Sequence, residues 1–517
     1  MYQPPCDSIP MSTNPSEVER WPRKFSGKHK YSGKRKFSGK RMLCKRMLTL
    51  LLAFCFGILL ACSTATAERK PNVLFIAIDD LRPQLSCYGK DFMHTPNFDD
   101  LAKRGVTFSR AYCMVPTCGA SRASLMTGVR PNPTRFVSYT ARADQEVPTA
   151  TTLNTHFKQN GYTSISLGKI FHFVNDNASG WSEPPWRSKL SDYHEPGVQQ
   201  AAIAAHRRKY PARQKVRGLP YEAVDAADDQ YRDYETATRA ISYLDRFAEN
   251  EEPFFLAVGF FKPHLPFCAP KKYWDLYDFE KIDLPTNSEP PPGAPQGAVH
   301  TSGELRAYST IPPRGPVSRQ QARELIHGYY ACVSFIDAQL GRLLESLDKN
   351  GLSENTIVVL WGDHGWQLGE HGMWNKHSCF ETSMHAPLMV AAPGVQGGAK
   401  TPALIEFIDV YPSLCELAGI NVPKTVQGTS FTSLLKNPKL PGKPIAVGRY
   451  RLGDTIRTDR YRYSEYHTRG GAGDLTGKML YDHQVDPKET NNLSGSEDIS
   501  DLASELSKVR SASRDQP

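Results

Sequence analysis

Apolar residues along this chain follow two rhythms. One is the short unbroken run. Val73–Ile78 reads VLFIAI and ends in Asp79-Asp80, and Ser164–Leu167, Phe254–Phe260, Thr356–Trp361 and Pro387–Ala391 are runs of the same kind. An uninterrupted run of this length predicts a strand buried on both faces, as in a parallel sheet covered by helices. The other rhythm is helical. Between Gln320 and Lys349, Leu325, Tyr329, Cys332, Ile336, Leu340 and Leu343-Leu344 recur every three or four residues, and Gly351 ends the pattern. Runs and helical patterns in alternation predict an α/β fold: a large, mainly parallel, doubly wound sheet flanked by helices.

The pattern changes twice more. Residues 283–316 are rich in Pro, Gly and Ser, which predicts a long surface excursion. From residue 441 onward the runs shorten. Ile445–Leu452, Thr455–Thr458 and Arg460–Tyr466 read as strands of a small antiparallel sheet, and Asp501–Ser511 as a terminal helix. The expected organisation is a major domain over residues 68–440 and a smaller α+β subdomain over residues 441–517, with a boundary near Pro438–Pro444.

Composition narrows the class. The 517 residues are 39% apolar, 10% aromatic and 23% charged, which excludes disorder throughout, collagen and a polytopic membrane protein. A chain this long can bury a sizeable core. The net charge of +9 by itself suggests an anionic partner such as nucleic acid. Its distribution removes that suggestion. Residues 1–67 hold twelve Lys/Arg and three acids, so the leader carries the whole +9 and the remainder has 51 charges of each sign. The leader contains three near-copies of K-(F/Y)-S-G-K, at Lys24–Lys28, Lys30–Lys34 and Lys36–Lys40, too poor in apolar residues to pack a core.

Behind Lys45-Arg46, Leu48–Ala61 is an apolar run of 14 residues. A bilayer span needs about 20, so the run reads as the hydrophobic part of a signal peptide, and Met42 or Met47 would each open a conventional one. Ala65-Thr66-Ala67 fits a signal-peptidase site. Leu59-Leu60-Ala61-Cys62 fits a lipobox with a lipid anchor at Cys62. Either predicts export, to the periplasm, the outer membrane as a lipoprotein, or the medium. Nucleic acid is not an expected partner of the exported chain; a nucleic-acid arm is the alternative should the leader persist.

Polar residues gather just past the carboxyl ends of the predicted strands: Asp79-Asp80, Lys169 with His172, Lys262 with His264, and Asp363-His364. Open α/β sheets bind ligands along that edge. Adjacent buried carboxylates repel and are costly to desolvate, and a divalent cation relieves both. Asp79, Asp80 and Asp363 would supply the hard oxygen ligands that Ca²⁺ or Mg²⁺ prefers. Capping of a following helix is the plainer reading of the pair alone. Seven Cys follow Ala67, without CxxC or zinc spacing; the number is odd, so at least one is unpaired or chemically special.

Around Cys118 the sequence reads V-P-T-C-G-A-S-R-A-S-L-M-T-G, ending at Gly128. This resembles the sulfatase signature, C-x-P-x-R followed by a hydrophobic pair and T-G, with Ala120 where Pro is usual. Small residues permit a tight turn after the Cys, and a helix expected to start near Ser121 offers N–H groups to an anion. The resemblance extends over most of residues 70–493. The segments Leu167–His172, Phe261–Phe267, Gly362–Gly365 and Gly369–Lys376 are similar to those of iduronate-2-sulfatases, as is His364 where many sulfatases have Asn.

The resemblance implies an exported sulfatase that removes sulfate from sulfated oligo- or polysaccharides, 2-O-sulfated uronic acid foremost. It implies that a maturase converts Cys118 to formylglycine, whose hydrate is the nucleophile. Asp79, Asp80, Asp363, His364 and residue 118 would hold one Ca²⁺, with Mg²⁺ the second choice. Arg122 and Lys169 would balance charge at the nucleophile, and His172 would act as base. His264 and Lys376 would hold the sulfate and serve the leaving oxygen. Lys262, Trp374 and His377 would shape the sugar pocket. Cys113 and Cys379 are expected to be structural. Two alternatives stand beside this reading: a phosphonate or phosphodiester hydrolase on the same scaffold, and an inactive glycan-binding surface protein in which Cys118 stays a thiol.

Overall fold

The computed structural model describes residues 69–514 except 213, 214, 251, 470 and 471, together with residues 28, 30 and 32–34. The run Leu48–Ala61, Cys62 and the Ala65–Ala67 site lie outside the described residues.

Seven strands form the central sheet: β1 (Asn72–Ile78), β2 (Val106–Tyr112), β3 (Thr163–Gly168), β4 (Phe254–Phe260), β5 (Thr356–Gly362), β6 (Leu388–Ala391) and β7 (Ala399–Glu406). Their spatial order is β7-β2-β6-β5-β1-β4-β3. Only β6 runs against its neighbours in this sheet; the other pairings are parallel. The unbroken apolar runs have a direct cause. Along β1, Val73, Phe75 and Ala77 pack into one apolar cluster, while Leu74, Ile76 and Ile78 pack into another on the opposite face. Each face needs every second residue, so a strand covered on both sides must be apolar throughout.

Helices α1 (Pro96–Arg104), α2 (Cys118–Thr127), α3 (Arg232–Asn250), α4 (Arg319–Lys349) and α5 (Ser500–Arg514) are the ones that bear on the site and its support. The periodic stretch read from the sequence is α4; Ser318 caps it by accepting from the Gln321 N–H at 3.2 Å, and Gly351 ends it with a left-handed φ of +66°. A second sheet is an antiparallel meander of β8 (Ala446–Tyr450), β9 (Gly453–Arg457), β10 (Tyr461–Arg469) and β11 (Ala472–Asp482). Residues Arg69–Pro517 form one compact unit. The meander shares its core with the large sheet, since Ala446 and Tyr450 lie in the same buried cluster as Phe108 and Leu388.

The structure corrects four expectations. The helix of the signature starts at Cys118, three residues before Ser121, because Thr117 is extended and its carbonyl accepts the Ser121 N–H at 2.9 Å. The second sheet has four strands, where three were expected. The central sheet contains β2 and β7, which no apolar run announced. Finally, residues 283–316 are not a surface excursion throughout: Ala298, Ser302, Leu305, Ser309 and Ile311 are buried, and the segment folds back over the carboxyl edge of the sheet.

Candidate active site

Register places the first carboxylates. Ile78 of β1 sits between Gly362 of β5 and Phe260 of β4, so Asp79, Asp363 and Phe261 leave the sheet side by side. Backbone bonds extend the ladder past the strand ends, from Asp79 N–H to Phe260 O at 3.2 Å and from Asp363 N–H to Ile78 O at 3.1 Å. Asp80 then turns into the left-handed region with φ +59°, and its N–H donates to Asp363 Oδ1 at 2.9 Å. Asp79, Asp80, Asp363 and His364 are fully buried.

The first turn of α2 meets this cluster. Cys118 Sγ lies 3.3 Å from His364 Nε2 and 4.0 Å from Asp80 Oδ1. Ser121 Oγ donates to the Asp363 carbonyl at 2.6 Å. One turn along, the buried Arg122 donates from Nε to Asp363 Oδ2 at 2.9 Å and from Nη2 to Asp79 Oδ1 at 3.2 Å. Its Nη1 donates to the carbonyls of Lys169 and Ile170. Arg122 therefore ties the ends of β1, β3 and β5 together, and Lys169 completes the group with an ion pair to Asp79 Oδ2.

Three further side chains close the site from above. Lys376 Nζ is 3.0 Å from Asp80 Oδ1 and 3.0 Å from Glu304 Oε2. It also sits 4.8 Å from the centre of the Trp366 ring. His264 Nε2 is 3.0 Å from Glu304 Oε1 and 3.8 Å from Asp80 Oδ2, while its Nδ1 faces the Leu265 carbonyl at 2.5 Å. Both ring nitrogens face acceptors only, so both carry protons in this arrangement. Glu304 was not foreseen. It comes from the buried part of residues 283–316, where neither strand nor helix periodicity exists; the one trace was an acid four residues after His300 in a Pro/Gly-rich stretch. His300 supports the same wall by donating from Nε2 to the Lys376 carbonyl at 2.6 Å, its Nδ1 accepting the Ser302 N–H at 3.0 Å.

Electrostatics follow from burial opposed by ion pairing. Burial alone would raise the Asp79 carboxyl, but Lys169, His264 and Arg122 outweigh it and hold the group well below the usual range. Burial prevails at Asp80, whose carboxyl is raised even with Lys376 beside it. Burial, then the charge of Asp79, pushes the Cys118 thiol well above its ordinary value, so as a cysteine it is a poor nucleophile here. His172 is driven down to about 3, by burial first and by Lys169 next, and is neutral at ordinary pH. Its Nδ1 is buried without a hydrogen-bond partner among the described residues.

These groups lie at the base of an open cavity of about 1010 Å³. Cys118, Lys169, His172, His264, Lys376 and His377 line it, as does Lys262. The predicted residues divide by depth: Asp79, Asp80, Arg122, Asp363 and His364 form a fully buried floor, and the others except Trp374 line the cavity. Lys262 is largely spent on structure, pairing with Asp192 at 3.1 Å and donating to the Pro266 carbonyl at 2.6 Å. His377 stacks on Tyr450, with ring centres 5.3 Å apart. Trp374 does not reach the cavity. It is buried in the apolar cluster behind it, and its backbone N–H donates to Ser302 Oγ at 2.9 Å. Arg187, Arg217 and Arg451 also line the cavity and were not singled out in the sequence.

The donor set suits a divalent cation. One atom each from Asp79, Asp80, Cys118 and His264 lie within 4.8 Å of one another, and the same holds for Cys118, Asp363 and His364. Residue 118 is common to both groups. The three carboxylates are hard oxygen donors, and the His364 imidazole is a softer one beside them. His264 enters the first group by distance alone; with both ring nitrogens protonated it has no lone pair for a metal, in keeping with the substrate-side place the sequence assigned it.

Known proteins resemble this chain in sequence and in fold. Residues 71–420 match the family described as Sulfatase, and residues 369–516 match that described as N-sulphoglucosamine sulphohydrolase, C-terminal. The chain is 30% identical to iduronate 2-sulfatase of Homo sapiens over 505 residues, covering 82% of this chain and 90% of that protein. A solved structure in complex with its substrate D-glucosamine-2-N,6-O-disulfate superposes with a TM-score of 0.67 at 22% identity, covering 86% of this chain and 98% of the other. Phosphonate monoester hydrolase from Silicibacter pomeroyi superposes with a TM-score of 0.65, also at 22% identity, covering 86% and 94%. At such identity the two structures establish the shared fold.

Proposed function

The chain belongs to the sulfatase family and is a sulfuric ester hydrolase, and from that premise we propose that it is exported and removes 2-O-sulfate from uronic acid residues of sulfated glycans. The observation that carries the reading is the seat of residue 118. Its side chain lies within 4.8 Å of donor atoms from four buried metal-type ligands, Asp79, Asp80, Asp363 and His364, at the floor of a cavity walled by Lys169, His264 and Lys376. The similarity to an iduronate 2-sulfatase over most of both chains supports the uronate, and Arg187, Arg217 and Arg451 offer cations to a carboxylate beside the sulfate. The signal-like run Leu48–Ala61 supports export.

Asp79, Asp80, Asp363 and His364 would hold Ca²⁺, which supplies a Lewis acid toward the sulfate oxygens. Conversion of Cys118 to formylglycine supplies a hydrate oxygen as nucleophile in place of a thiol that burial keeps protonated. The chain's own residues do the rest. Arg122 keeps Asp79 and Asp363 in fixed orientation and balances their charge. Lys169 does the same for the outer oxygen of Asp79. His172, neutral and lining the cavity, would accept a proton from the hydrate. His264 holds a proton at Nε2 and Lys376 presents Nζ, both above residue 118, where a leaving alkoxide requires them.

Two measurements test this. Turnover of an aryl sulfate should exceed that of an aryl phosphonate monoester and of a phosphodiester; the reverse order would assign the site to phosphorus chemistry. Peptide mass spectrometry across Cys118 should find the lighter aldehyde; a thiol throughout would leave a glycan-binding protein without catalysis.

A further inference from the structure

The charge of the chain beyond the leader balances at 51 of each sign, yet one segment departs from that balance. Residues 196–221 contain Arg207, Arg208, Lys209, Arg213, Lys215 and Arg217 and no Asp or Glu. The segment opens with the helix Pro196–Lys209, whose last turn carries the first three of these cations. Arg207, Arg208, Lys209, Lys215 and Arg217 are exposed. Lys209 Nζ leans over the Tyr210 ring at 5.5 Å, and among the described residues neither Arg208, Lys209 nor Lys215 pairs with a carboxylate.

Both ends of the segment are pinned at the cavity. At its start, Tyr193 lines the cavity, and the next residue, His194, donates its N–H to Glu222 Oε2 at 2.7 Å. Gln199 bonds across to the Leu219 N–H at 2.7 Å and to Glu222 Oε1 at 2.9 Å. At its end, Arg217 lines the cavity and is held by backbone bonds to Ala307 at 2.8 Å and from Ser309 at 3.2 Å. Lys215 is two residues, at most about 7 Å of chain, from Arg217. The cations of the last helical turn stand about 15 Å along the helix from Gln199. Its described cations, Arg207, Arg208, Lys209, Lys215 and Arg217, thus form a cationic arm rooted at the mouth of the site; Arg213 lies outside the described residues.

We propose that this arm is an exosite for the sulfated chain on either side of the ester being cleaved. The proposal rests on reading the cavity as a sulfated-glycan site. A polyanion laid across Arg208, Lys209 and Lys215 releases its condensed counterions and gains affinity that falls steeply with salt, and Arg217 hands the chain to the cavity. Small sulfate esters reach only the cavity and gain nothing from the arm. The enzyme is therefore selective for polymer over fragment, through a surface that takes no part in the chemistry.

The test compares the wild type with Arg208→Gln/Lys209→Gln/Lys215→Gln, and with the charge-keeping Arg208→Lys/Lys209→Arg/Lys215→Arg. Binding of a long heparin chain, a heparin disaccharide, unsulfated hyaluronan and single-stranded DNA is measured over a salt series. The Gln variant should bind the long heparin chain roughly tenfold more weakly at low salt, with a log–log salt slope shallower by about 2. Disaccharide binding should be unchanged, and the charge-keeping variant should match the wild type. Equal binding of the long chain by all three proteins would overturn the proposal, as would wild-type binding of DNA as tight as that of heparin. Aryl sulfate turnover, expected to be equal in all three, reports separately on the active site: its absence in the wild type would count against that reading, while the binding series still decides the arm.

Discussion

Asp80 is the residue on which the site converges. Its carboxylate has Lys376 at 3.0 Å, His364 at 3.5 Å, His264 at 3.8 Å and Cys118 Sγ at 4.0 Å. It reaches that position through a backbone conformation that side chains other than Gly, Asn or Asp adopt rarely. Asp80→Asn keeps the shape and removes the charge. It should weaken the apparent Ca²⁺ affinity by about 100-fold, measured as turnover against added Ca²⁺ after dialysis with chelator. Glu304 acts at one remove, orienting His264 and Lys376 together. Glu304→Gln should cost roughly 10- to 100-fold in kcat for a sugar sulfate, whose alkoxide needs a proton, and far less for an aryl sulfate with a good leaving group. Equal losses on both substrates would make Glu304 merely structural. These two residues also mark how far the sequence was readable. Asp80, Lys169, His264 and Asp363 each follow an apolar run, and the run announces where the strand ends. Glu304 follows nothing periodic, and only the fold of a proline-rich segment brings it to the cavity. Trp374 shows the converse: adjacency to Lys376 placed it near the site in sequence, while the local backbone turns its ring into the core.

The element that decides the chemistry is the first turn of α2. A Cβ at Gly119 would stand 2.1 Å from the Tyr139 carbonyl oxygen, so no side chain fits between the helix start and that segment. Gly119→Ala should shift residue 118 away from His364, lose most turnover and cost about 1–3 kcal/mol of stability by chemical denaturation. Helix α1 is held from a different element. Asp337 of α4 accepts the N–H groups of Asn97 and Phe98, each at 2.9 Å, and the Asn97 side-chain amide at 2.7 Å. Burial, only partly opposed by these bonds, raises its carboxyl to about 7. An unfolded Asp titrates near 3.9, so between about pH 4 and 7 the folded chain holds the extra proton and stability falls as pH rises. The thermal midpoint should drop between pH 5 and pH 7.5, and by less in Asp337→Asn; an equal drop in both would contradict the assignment. Strands buried on both faces were legible because their composition is extreme. Strand β7 was not: it is an edge strand carrying Pro402, and its pairing slips between Thr401 and Leu404. Strand β11 was hidden by its polar composition, AGDLTGKMLYD, on the outer edge of the meander.

At the scale of the whole molecule, charge is local. The neutral body of the chain concentrates four acids, Asp79, Asp80, Glu304 and Asp363, against Arg122, Lys169, Lys376 and His264 in one cluster at the base of the cavity, and roots the cationic arm at that cavity through Tyr193 and Arg217. Because each acid has a cation of the chain beside it, removal of the metal should leave the fold standing. A chelator should abolish turnover, leave far-ultraviolet circular dichroism unchanged and lower the thermal midpoint by a few degrees, all restored by Ca²⁺. The family, the sheet and the metal-type cluster were readable from spaced motifs; the cavity wall and the arm depend on segments that only the folded chain brings together. The central claim is that residue 118, seated on this cluster, cleaves the sulfate ester of a glycan. It is tested most directly by ion chromatography of sulfate released from a 2-O-sulfated uronate disaccharide, with wild-type protein and with Cys118→Ala. The account predicts sulfate from the wild type and none above background from the variant; release by the variant at the wild-type rate, or by neither protein, would contradict it.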